Sequence, residues 1–305
     1  KQDRGIKMPA KVIVNPYSNR WNAKKRWPQA ESALREAGVD FSVVVSEQRG
    51  QPVQLVEKAV LDGFEPIIVA GGDGTIGEAA IGIARAKKNG HLGVLGVIPL
   101  GTANDFACNL GIPLDLNEAA KVIGANKTRT IDVCKAGDRY FLNNSAMGLE
   151  PYITVLEKKM TFLKGIPRYL AAALKGIMQN PSWQASVEWD DGSYEGPLTL
   201  ISVGNAPRTG GLFYMAPHAD PADGKLTAVL AYKKSSLSLL ALLPKAMTPA
   251  GRFVKAEGVQ EIHATRISVS LQSPSPAHTD GELFPEQMNN LEYSILPGMI
   301  DILVP

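Results

Sequence analysis

The sequence contains little cysteine and almost no net charge, and each of these absences excludes a class of protein. Two cysteines among 305 residues, Cys108 and Cys134, cannot build a disulfide framework, and neither has the C-x-x-C or Cys/His spacing of a zinc site. We therefore expect reduced, buried thiols. The 32 Lys and Arg residues almost balance the 30 Asp and Glu residues, so a nucleic-acid partner held by an overall positive field is not expected.

Long apolar runs are also absent from the sequence. No stretch reaches the roughly 18 consecutive apolar residues of a membrane-spanning helix. The first residues, KQDRGIKMPAKVIV, lack the apolar core and the cleavage pattern of a signal peptide. We therefore expect a cytoplasmic protein. A hydrophobic fraction of 45% in a chain of 305 residues is enough for about two domains with their own cores.

Two different patterns divide the chain near residue 131. Before it, short β-branched runs such as KVIVN, FSVVVS and PIIVAGG alternate with helix-patterned segments, which is typical of βαβ units on a parallel sheet. After it, strand candidates follow closely on one another, among them WQASVEW, KLTAVLAY and HATRISVSL. The sequence predicts an α/β N-terminal domain with a parallel sheet and a β-rich, largely antiparallel C-terminal domain. Segments 154–178 and 236–257 interrupt the β-rich half.

The stretch AGGDGTIGEAA, residues 70–80, follows an apolar run and surrounds one carboxylate with glycines. Gly71, Gly72 and Gly74 would let the backbone approach phosphate oxygens closely, because a Cβ would collide with them. A helix expected to begin near Ile76 would add free N–H donors at its N-terminus. The stretch therefore predicts a phosphate-binding loop.

Two other interpretations of the same stretch stay open from these residues alone. An ordinary strand-to-helix turn could be closed by a capping box of Thr75 and Glu78. The glycines also spell G-x-G-x-x-G, the dinucleotide fingerprint, which is followed by an acidic residue at the end of the next strand. The next strand, GVLGVIPLG, has no acid. It leads instead into a second polar loop, PLGTANDFACNLG, and two such loops suit a nucleotide that is bound at two places.

Five motifs are spread along nearly the whole chain: VNPYSN at 14–19, GGDGT at 71–75, IPLGTANDFA at 98–107, APHADPADGKL at 216–226 and HTDGE at 278–282. Together they resemble the diacylglycerol kinase catalytic domain family, which includes sphingosine and ceramide kinases. GTANDFA with the late DGE is more specific than GGDGT alone, and Asn19 departs from the glycine common in the family. The resemblance implies an NAD-kinase/diacylglycerol-kinase-like fold, with a nucleotide domain at 1–131 and 291–305 and a lipid-substrate domain at 132–290.

Transfer of a γ-phosphoryl group requires charge neutralisation, an in-line hydroxyl and a carboxylate that accepts the hydroxyl proton. The resemblance implies ATP and Mg²⁺ as cofactors, Asp280 as general base and Glu282 as a supporting acid. It also implies that Asp73 and Asp132 help to place the catalytic Mg²⁺. The nucleotide-binding residues that the motifs imply are Asn15, Ser18, Gly71, Gly72, Gly74, Thr75, Gly101, Thr102, Asn104 and Asp105. Taken singly, each aspartate could instead be a cap or turn residue.

A second pair of carboxylates, Asp220 and Asp223, has the short spacing of a loop that folds around a hard cation. The resemblance implies a structural Mg²⁺ there, whereas an Asp-Gly hairpin turn fits the same residues. Of the four histidines, only His278 lies beside the proposed chemistry, where it could orient the base or a phosphate.

The motifs indicate an ATP-dependent lipid kinase that acts at a membrane surface, with a diacylglycerol-like lipid as the expected acceptor. Segment 154–178 has apolar residues for a bilayer interface and basic residues for anionic head groups. The same composition fits a helix packed on the β-rich domain. An NAD-kinase-like enzyme acting on a soluble nucleotide and a catalytically silent lipid-binding protein are the alternatives. The sequence does not choose among lipid classes, and a homodimer is possible.

Overall fold

The computed structural model describes residues 9–160, 166–232 and 235–305, and its contacts divide the chain into two compact units. Unit 1 comprises the chain up to Val133 together with Gly298–Pro305, and unit 2 comprises Cys134–Pro297. Within the described residues, no helix is long and apolar enough to cross a membrane.

Unit 1 alternates strands and helices, as the sequence predicts. Its elements are β1 (Ala10–Val14), α1 (Asn22–Glu36), β2 (Phe41–Val45), α2 (Gln51–Leu61), β3 (Ile67–Gly71), α3 (Asp73–Lys88), β4 (Val94–Pro99), α4 (Asp105–Asn109), α5 (Leu116–Ala125) and the first part of β5 (Thr128–Ala136). The strands form a parallel sheet in the order β2-β1-β3-β4. Strands β3 and β4 are buried along their whole length, which explains their unbroken apolar sequence.

Unit 2 is built around antiparallel strands. Its elements are the end of β5, β6 (Arg139–Phe141), β7 (Asn144–Gly148), α6 (Leu149–Lys159), α7 (Ile166–Gln179), β8 (Trp183–Trp189), β9 (Gly192–Gly204), β10 (Leu226–Tyr232), α8 (Ser236–Ala246), a 3₁₀ turn (Arg252–Lys255), β11 (Val259–Ala264), β12 (Arg266–Ser275), β13 (Ala277–Thr279), β14 (Glu282–Leu283) and most of β15 (Met288–Leu303). The long strand β9 pairs with β8 along its first half and with β7 and β10 along its second half. The predicted fold class is thus confirmed for both halves.

The sequence pattern was wrong about one strand in unit 2. HATRISVSL is not one strand but two, β11 ending at Ala264 and β12 beginning at Arg266. The carboxylate of Asp190 accepts hydrogen bonds from the backbone N–H groups of Thr265 and Arg266 at 2.5 and 3.1 Å. Because these two N–H groups bond to Asp190, they are not available to continue one strand across Thr265. The chain therefore turns between β11 and β12.

The two segments that interrupt the β-rich half form helices. Segment 154–178 contains the end of α6 and most of α7, and residues 161–165 lie outside the described residues. The apolar sides of these helices pack on each other and on β9 and β10, through side chains that include Ile153, Ala172 and Leu200. Leu174 and Met178 on α7 point outward and are 50% and 61% exposed. Part of this segment therefore belongs to the packed core of unit 2.

Candidate active site

Three loops of unit 1 lie at one edge of its parallel sheet, because β1, β3 and β4 are neighbouring parallel strands that end there. In the glycine loop (residues 71–75), α3 begins at Asp73 rather than near Ile76. The capping box considered as an alternative is wrong. Thr75 Oγ1 accepts a hydrogen bond from Asn15 Nδ2 at 2.8 Å, and Glu78 Oε1 accepts one from the backbone N–H of Gly50 at 3.0 Å.

At two positions on this edge of the sheet, close packing leaves room only for glycine. A Cβ on Gly72 would lie 2.9 Å from the Cα of Gly101, and a Cβ on Gly101 would lie 2.5 Å from the Cα of Gly72. The glycine loop and the second loop (residues 100–105) therefore touch backbone to backbone. Gly74 is different, because a Cβ there would meet no described atom within 4 Å. Space is open at this position, in the first turn of α3.

Predicted nucleotide-binding residues from two motifs meet at Thr75. Asn15 donates to its hydroxyl at 2.8 Å, and the Ser18 hydroxyl lies 3.4 Å from it. Asn15 follows β1 directly, and its Oδ1 also accepts the backbone N–H of Tyr17 at 3.0 Å. The structure thus brings VNPYSN and GGDGT together, although the roles of these residues toward a nucleotide stay predictions.

The second loop is closed by its own asparagine. Asn104 is buried, has a positive φ of 50°, and accepts the backbone N–H of Gly101 through Oδ1 at 2.8 Å. Its Nδ2 donates to the carbonyl oxygen of Gly101 at 3.3 Å. The Thr102 hydroxyl donates to Asn19 Oδ1 at 3.1 Å, which links this loop to the loop after β1.

The carboxylates of unit 1 have different surroundings. Asp73 accepts the backbone N–H of Phe106 through Oδ1 at 2.9 Å, so it lies beside the N-terminus of α4 as well as in the first turn of α3. Asp105 is buried at the start of α4. Asp132 is buried on β5 and accepts the backbone N–H of Gly298 at 2.7 Å, which attaches segment 298–305 to that strand.

In unit 2, Asp280 occupies the two-residue turn between β13 and β14. Asp280 and Gly281 both have positive φ values, 46° and 79°, as type I′ hairpin turns require. Its carboxylate accepts the backbone N–H groups of Leu142, Asn143 and Asn144 at 2.9, 2.9 and 3.1 Å. Three charge-assisted bonds hold the carboxylate in one orientation. Glu282 follows on β14 and is exposed.

A buried polar cluster adjoins Asp280, and of its members only His278 was singled out from the sequence. Asn144 donates through Nδ2 to Glu150 Oε1 at 2.8 Å, and its Oδ1 accepts the Thr209 hydroxyl at 2.7 Å. His278 Nε2 lies 3.2 Å from the same oxygen of Glu150. Burial raises the pKa of Glu150, but the hydrogen bond and charge of His278, with hydrogen bonds from Asn144 and Ser202, lower it overall. The only sequence signal for Glu150 itself was an acidic residue inside the apolar run MGLEPYI.

Glu150 also lines an apolar pocket of unit 2. The pocket contains about 700 Å³ of empty space, its open mouth included, and its walls come from α6, α7, α8, β9, β10 and the chain around Phe213 and Phe253. Aliphatic and aromatic side chains form nearly all of the wall, such as Ile177 and Leu243. A cavity of this kind suits a hydrocarbon chain.

The pair Asp220 and Asp223 forms local turns. Asp220 Oδ1 accepts the backbone N–H of Ala222 at 3.0 Å, and Asp223 Oδ1 accepts that of Lys225 at 2.9 Å. Among the residues described, no group of three or more His, Cys, Asp and Glu side chains could hold a metal ion. A structural Mg²⁺ at this pair stays a prediction.

Comparison with known proteins decides the family. The model of the diacylglycerol kinase catalytic domain matches residues 9–136, and that of the YegS C-terminal NAD kinase beta sandwich-like domain matches residues 144–304. Diacylglycerol kinases from Staphylococcus aureus and Staphylococcus epidermidis are 31% identical over 294 residues, which cover 94% of this chain and 90% of theirs. The chain belongs to the diacylglycerol kinase family. It is therefore a phosphotransferase of the lipid kinase class, and the resemblance seen in the motifs is confirmed.

Solved structures show the same fold. A crystal structure of a diacylglycerol kinase from Bacillus anthracis strain Sterne aligns with a TM-score of 0.73 at 20% identity, covering 97% of each chain. A second structure from the same strain aligns with a TM-score of 0.80 at 24% identity, again over 97% of each chain. At these identities the likeness concerns the fold alone.

Proposed function

We propose that the protein transfers the γ-phosphoryl group of ATP to a lipid hydroxyl, with Asp280 as general base. The observation that carries this proposal is the position of Asn144 in unit 2. Its backbone N–H donates to Asp280 Oδ1 at 3.1 Å, and its side chain donates to Glu150 Oε1 at 2.8 Å. Since Glu150 lines the apolar pocket, one residue connects the proposed base with the cavity that suits a lipid chain.

The edge of unit 1 supports the binding of ATP phosphates. N–H groups at the start of α3 lack intrahelical partners and favour an anion. The open space at Gly74 allows close approach of phosphate oxygens. The other residues proposed to bind the nucleotide act in part by maintaining the shape of the loops. They are Asn15, Ser18, Gly71, Gly72, Thr75, Gly101, Thr102, Asn104 and Asp105. The domain bounds 1–131 with 291–305, and 132–290, likewise stay predictions.

The proposed chemistry needs an ionised carboxylate and a neutralised phosphate. Asp280 takes the proton of the lipid hydroxyl, and its three backbone donors keep the accepting oxygens fixed while the hydroxyl attacks phosphorus. Mg²⁺, when bound, supplies positive charge to the phosphate oxygens. Such sites use one or two carboxylates together with phosphate oxygens, and Asp73 in the glycine loop fits this donor set. Asp132 is the second proposed ligand, and Glu282 the supporting acid.

A surface of unit 1 supports peripheral attachment to an anionic bilayer. Trp21 and Tyr17 are 57% and 42% exposed, with ring centroids 4.6 Å apart. Arg20, Lys24 and Lys25 are exposed beside them. Aromatic rings insert at the head-group level and cations attract anionic lipids. We refer to these five residues as the aromatic-basic patch. The cytoplasmic location and a possible homodimer stay predictions.

The test is transfer of label from [γ-³²P]ATP with Mg²⁺ to a panel of detergent-dispersed lipids, with NAD as a soluble acceptor. We expect label in a lipid class, and a loss of about 10²- to 10⁴-fold in kcat for Asp280→Asn. Asn tolerates the positive φ and keeps one acceptor oxygen, so the hairpin should be retained. Asp190→Asn is the matched control, because Asp190 also holds two backbone N–H groups at a hairpin turn.

Other outcomes of this assay identify the alternatives. Label in NAD alone would assign the protein to soluble-nucleotide kinases. Lipid binding without transfer, equal in wild type and Asp280→Asn, would indicate a catalytically silent binder.

A further inference from the structure

A short turn in unit 2 contacts both the apolar pocket and the residue that holds Asp280. The backbones of Thr209 and Phe213 are joined by two N–H to carbonyl hydrogen bonds, at 2.8 and 3.1 Å. Phe213 is 4% exposed and lines the pocket. The Thr209 hydroxyl donates to Asn144 Oδ1 at 2.7 Å. We refer to residues 209–213 as the Thr209 turn.

On the pocket side, the Thr209 turn is held by the ring of Phe213. The centroid of this ring lies 5.5 Å from that of Tyr169 on α7, and both rings line the pocket. Gly210 and Gly211 have positive φ values of 63° and 75°, and a Cβ on Gly210 would meet no described atom within 4 Å. Packing at Gly210 therefore does not fix the turn. A hydrocarbon chain in the pocket would give Phe213 contacts that an empty cavity lacks.

On its other side, the Thr209 turn holds Asn144, which is buried. In the part of the chain that the structure describes, Thr209 is the one donor to Asn144 Oδ1. The backbone of Asn144 is bonded to Asp280 twice, since its N–H donates to Oδ1 at 3.1 Å and its carbonyl oxygen accepts the Asp280 N–H at 2.8 Å. Loss of the Thr209 hydroxyl leaves a buried oxygen without a donor, so Asn144 must shift to find one. Such a shift displaces the N–H group that holds Asp280.

We propose that Thr209 is a positioning residue that couples occupation of the apolar pocket to the orientation of Asp280. A hydrocarbon chain fixes Phe213 and with it the Thr209 turn. The Thr209 hydroxyl then fixes Asn144, whose backbone holds the carboxylate. This inference rests on the proposed function and deepens it, because the chain of the lipid then raises kcat as well as affinity. An acceptor without a hydrocarbon chain leaves Asp280 less well fixed.

Hydrogen exchange tests this coupling without ATP and without phosphoryl transfer. The probe is 1-octanol, a hydrocarbon chain with a single hydroxyl, and NMR follows the exchange of the backbone N–H of Asn144. We expect saturating 1-octanol to slow this exchange about 10-fold or more in the wild type, because the N–H opens less often when its residue is held. Unchanged exchange, or no binding of 1-octanol, would overturn the proposal.

Two variants assign the coupling to the hydroxyl of Thr209. Thr209→Val keeps the shape of the side chain but removes its donor, so 1-octanol should still bind but should no longer slow exchange at Asn144. Thr209→Ser keeps the donor and should behave as the wild type does. A slowing that persists in Thr209→Val would contradict the proposal.

Thr227→Val is the matched control for the loss of a threonine hydroxyl in unit 2. Thr227 is buried on β10, and its hydroxyl lies 3.0 Å from His263 Nδ1. It does not line the pocket, so 1-octanol should slow exchange at Asn144 in this variant as in the wild type. A loss of the effect in Thr227→Val as well would show that it reports general loosening of unit 2 and would contradict the role of Thr209.

Kinetics separate this inference from the proposed function. In the wild type, dioctanoylglycerol should have a kcat about 10-fold above that of dibutyrylglycerol, and Thr209→Val should remove this difference while KM for ATP stays unchanged. Coupling in hydrogen exchange without phosphoryl transfer to any lipid would support the role of Thr209 and contradict the kinase proposal. Transfer to lipid with the same kcat in wild type and Thr209→Val would support the kinase proposal and contradict the role of Thr209.

Discussion

The sheet edge of unit 1 and the Asp280 region of unit 2 are built from different parts of the chain. In unit 1 the edge is made of backbone, with Gly72 and Gly101 in direct contact and open space at Gly74. In unit 2 the region is made of side chains, with the carboxylates of Asp280 and Glu150 joined through Asn144. A backbone edge offers N–H donors to an anion. Fixed carboxylates offer acceptors to hydroxyls, so each unit has the polarity that suits one of the two substrates.

The largest effect that would test this difference between the two units is expected on ATP kinetics when Gly74 is substituted. Gly74→Ala places a methyl group in open space, so the fold should be kept and the stability raised by about 0.4–1 kcal/mol. The same methyl group would meet the phosphates, and kcat/KM for ATP should fall about 100-fold, as for a displacement of about 1 Å. Urea unfolding and steady-state kinetics measure the two quantities.

Gly72→Ala is the matched control for Gly74. Its Cβ would lie 2.9 Å from the Cα of Gly101, so overpacking should lower the free energy of unfolding by about 1–3 kcal/mol. If Gly74→Ala loses stability, or if its ATP kinetics are unchanged, then Gly74 does not differ from Gly72 in facing the substrate rather than the packed interior.

The next effect concerns the pocket of unit 2. Ala173 on α7 is buried and lines the pocket, and Ala173→Leu should occupy space equal to about three methylene groups of a lipid chain. We expect KM for the lipid to rise about 50-fold, with KM for ATP unchanged. A parallel rise in both constants would show that the two substrates are not handled by separate units.

A smaller effect is expected at the aromatic-basic patch. Trp21→Ala should weaken co-sedimentation with vesicles rich in phosphatidylglycerol about fivefold, because an interfacial ring is lost. Leu92→Ala is the control, since Leu92 is 62% exposed and precedes β4, at the opposite edge of the parallel sheet. Equal loss in both variants would mean that exposure alone, rather than this patch, determines vesicle binding.

The smallest effect is on acid stability. The pKa of Glu150 is lowered in the folded protein from its ordinary value of 4.5, so its contribution is present above about pH 4.5 and is lost as the pH falls through the lowered value. Wild type should therefore lose more stability than Glu150→Gln between pH 6 and pH 3.5, measured by urea unfolding. Parallel pH profiles would contradict the direction of this shift.

The two regions also differ in how many of their residues could be predicted from the sequence. The glycine loop was found because its residues are contiguous and because glycine is the one residue type that allows close backbone contact. The sheet edge of unit 1 as a whole could be predicted because parallel strands end side by side. Glu150 was missed because its partners, His278 and Asn144, are brought to it by strand pairing between β7 and β13, and pairing of distant strands leaves no local pattern.

Strand β15 contributes residues to both units. Its first part pairs with β12, whereas Asp301 and Ile302 pair with β4, beside the strand that carries the glycine loop. During synthesis, the ribosome makes all of unit 2 before the segment that completes the sheet of unit 1. The Asp132 contact to Gly298 and the two hydrogen bonds from Lys87 to the carbonyls of Gly298 and Met299 can therefore form only after unit 2 has been made. The residues around the apolar pocket are thus all made while β4 still has an open edge, and an open edge strand is a site of unwanted strand pairing.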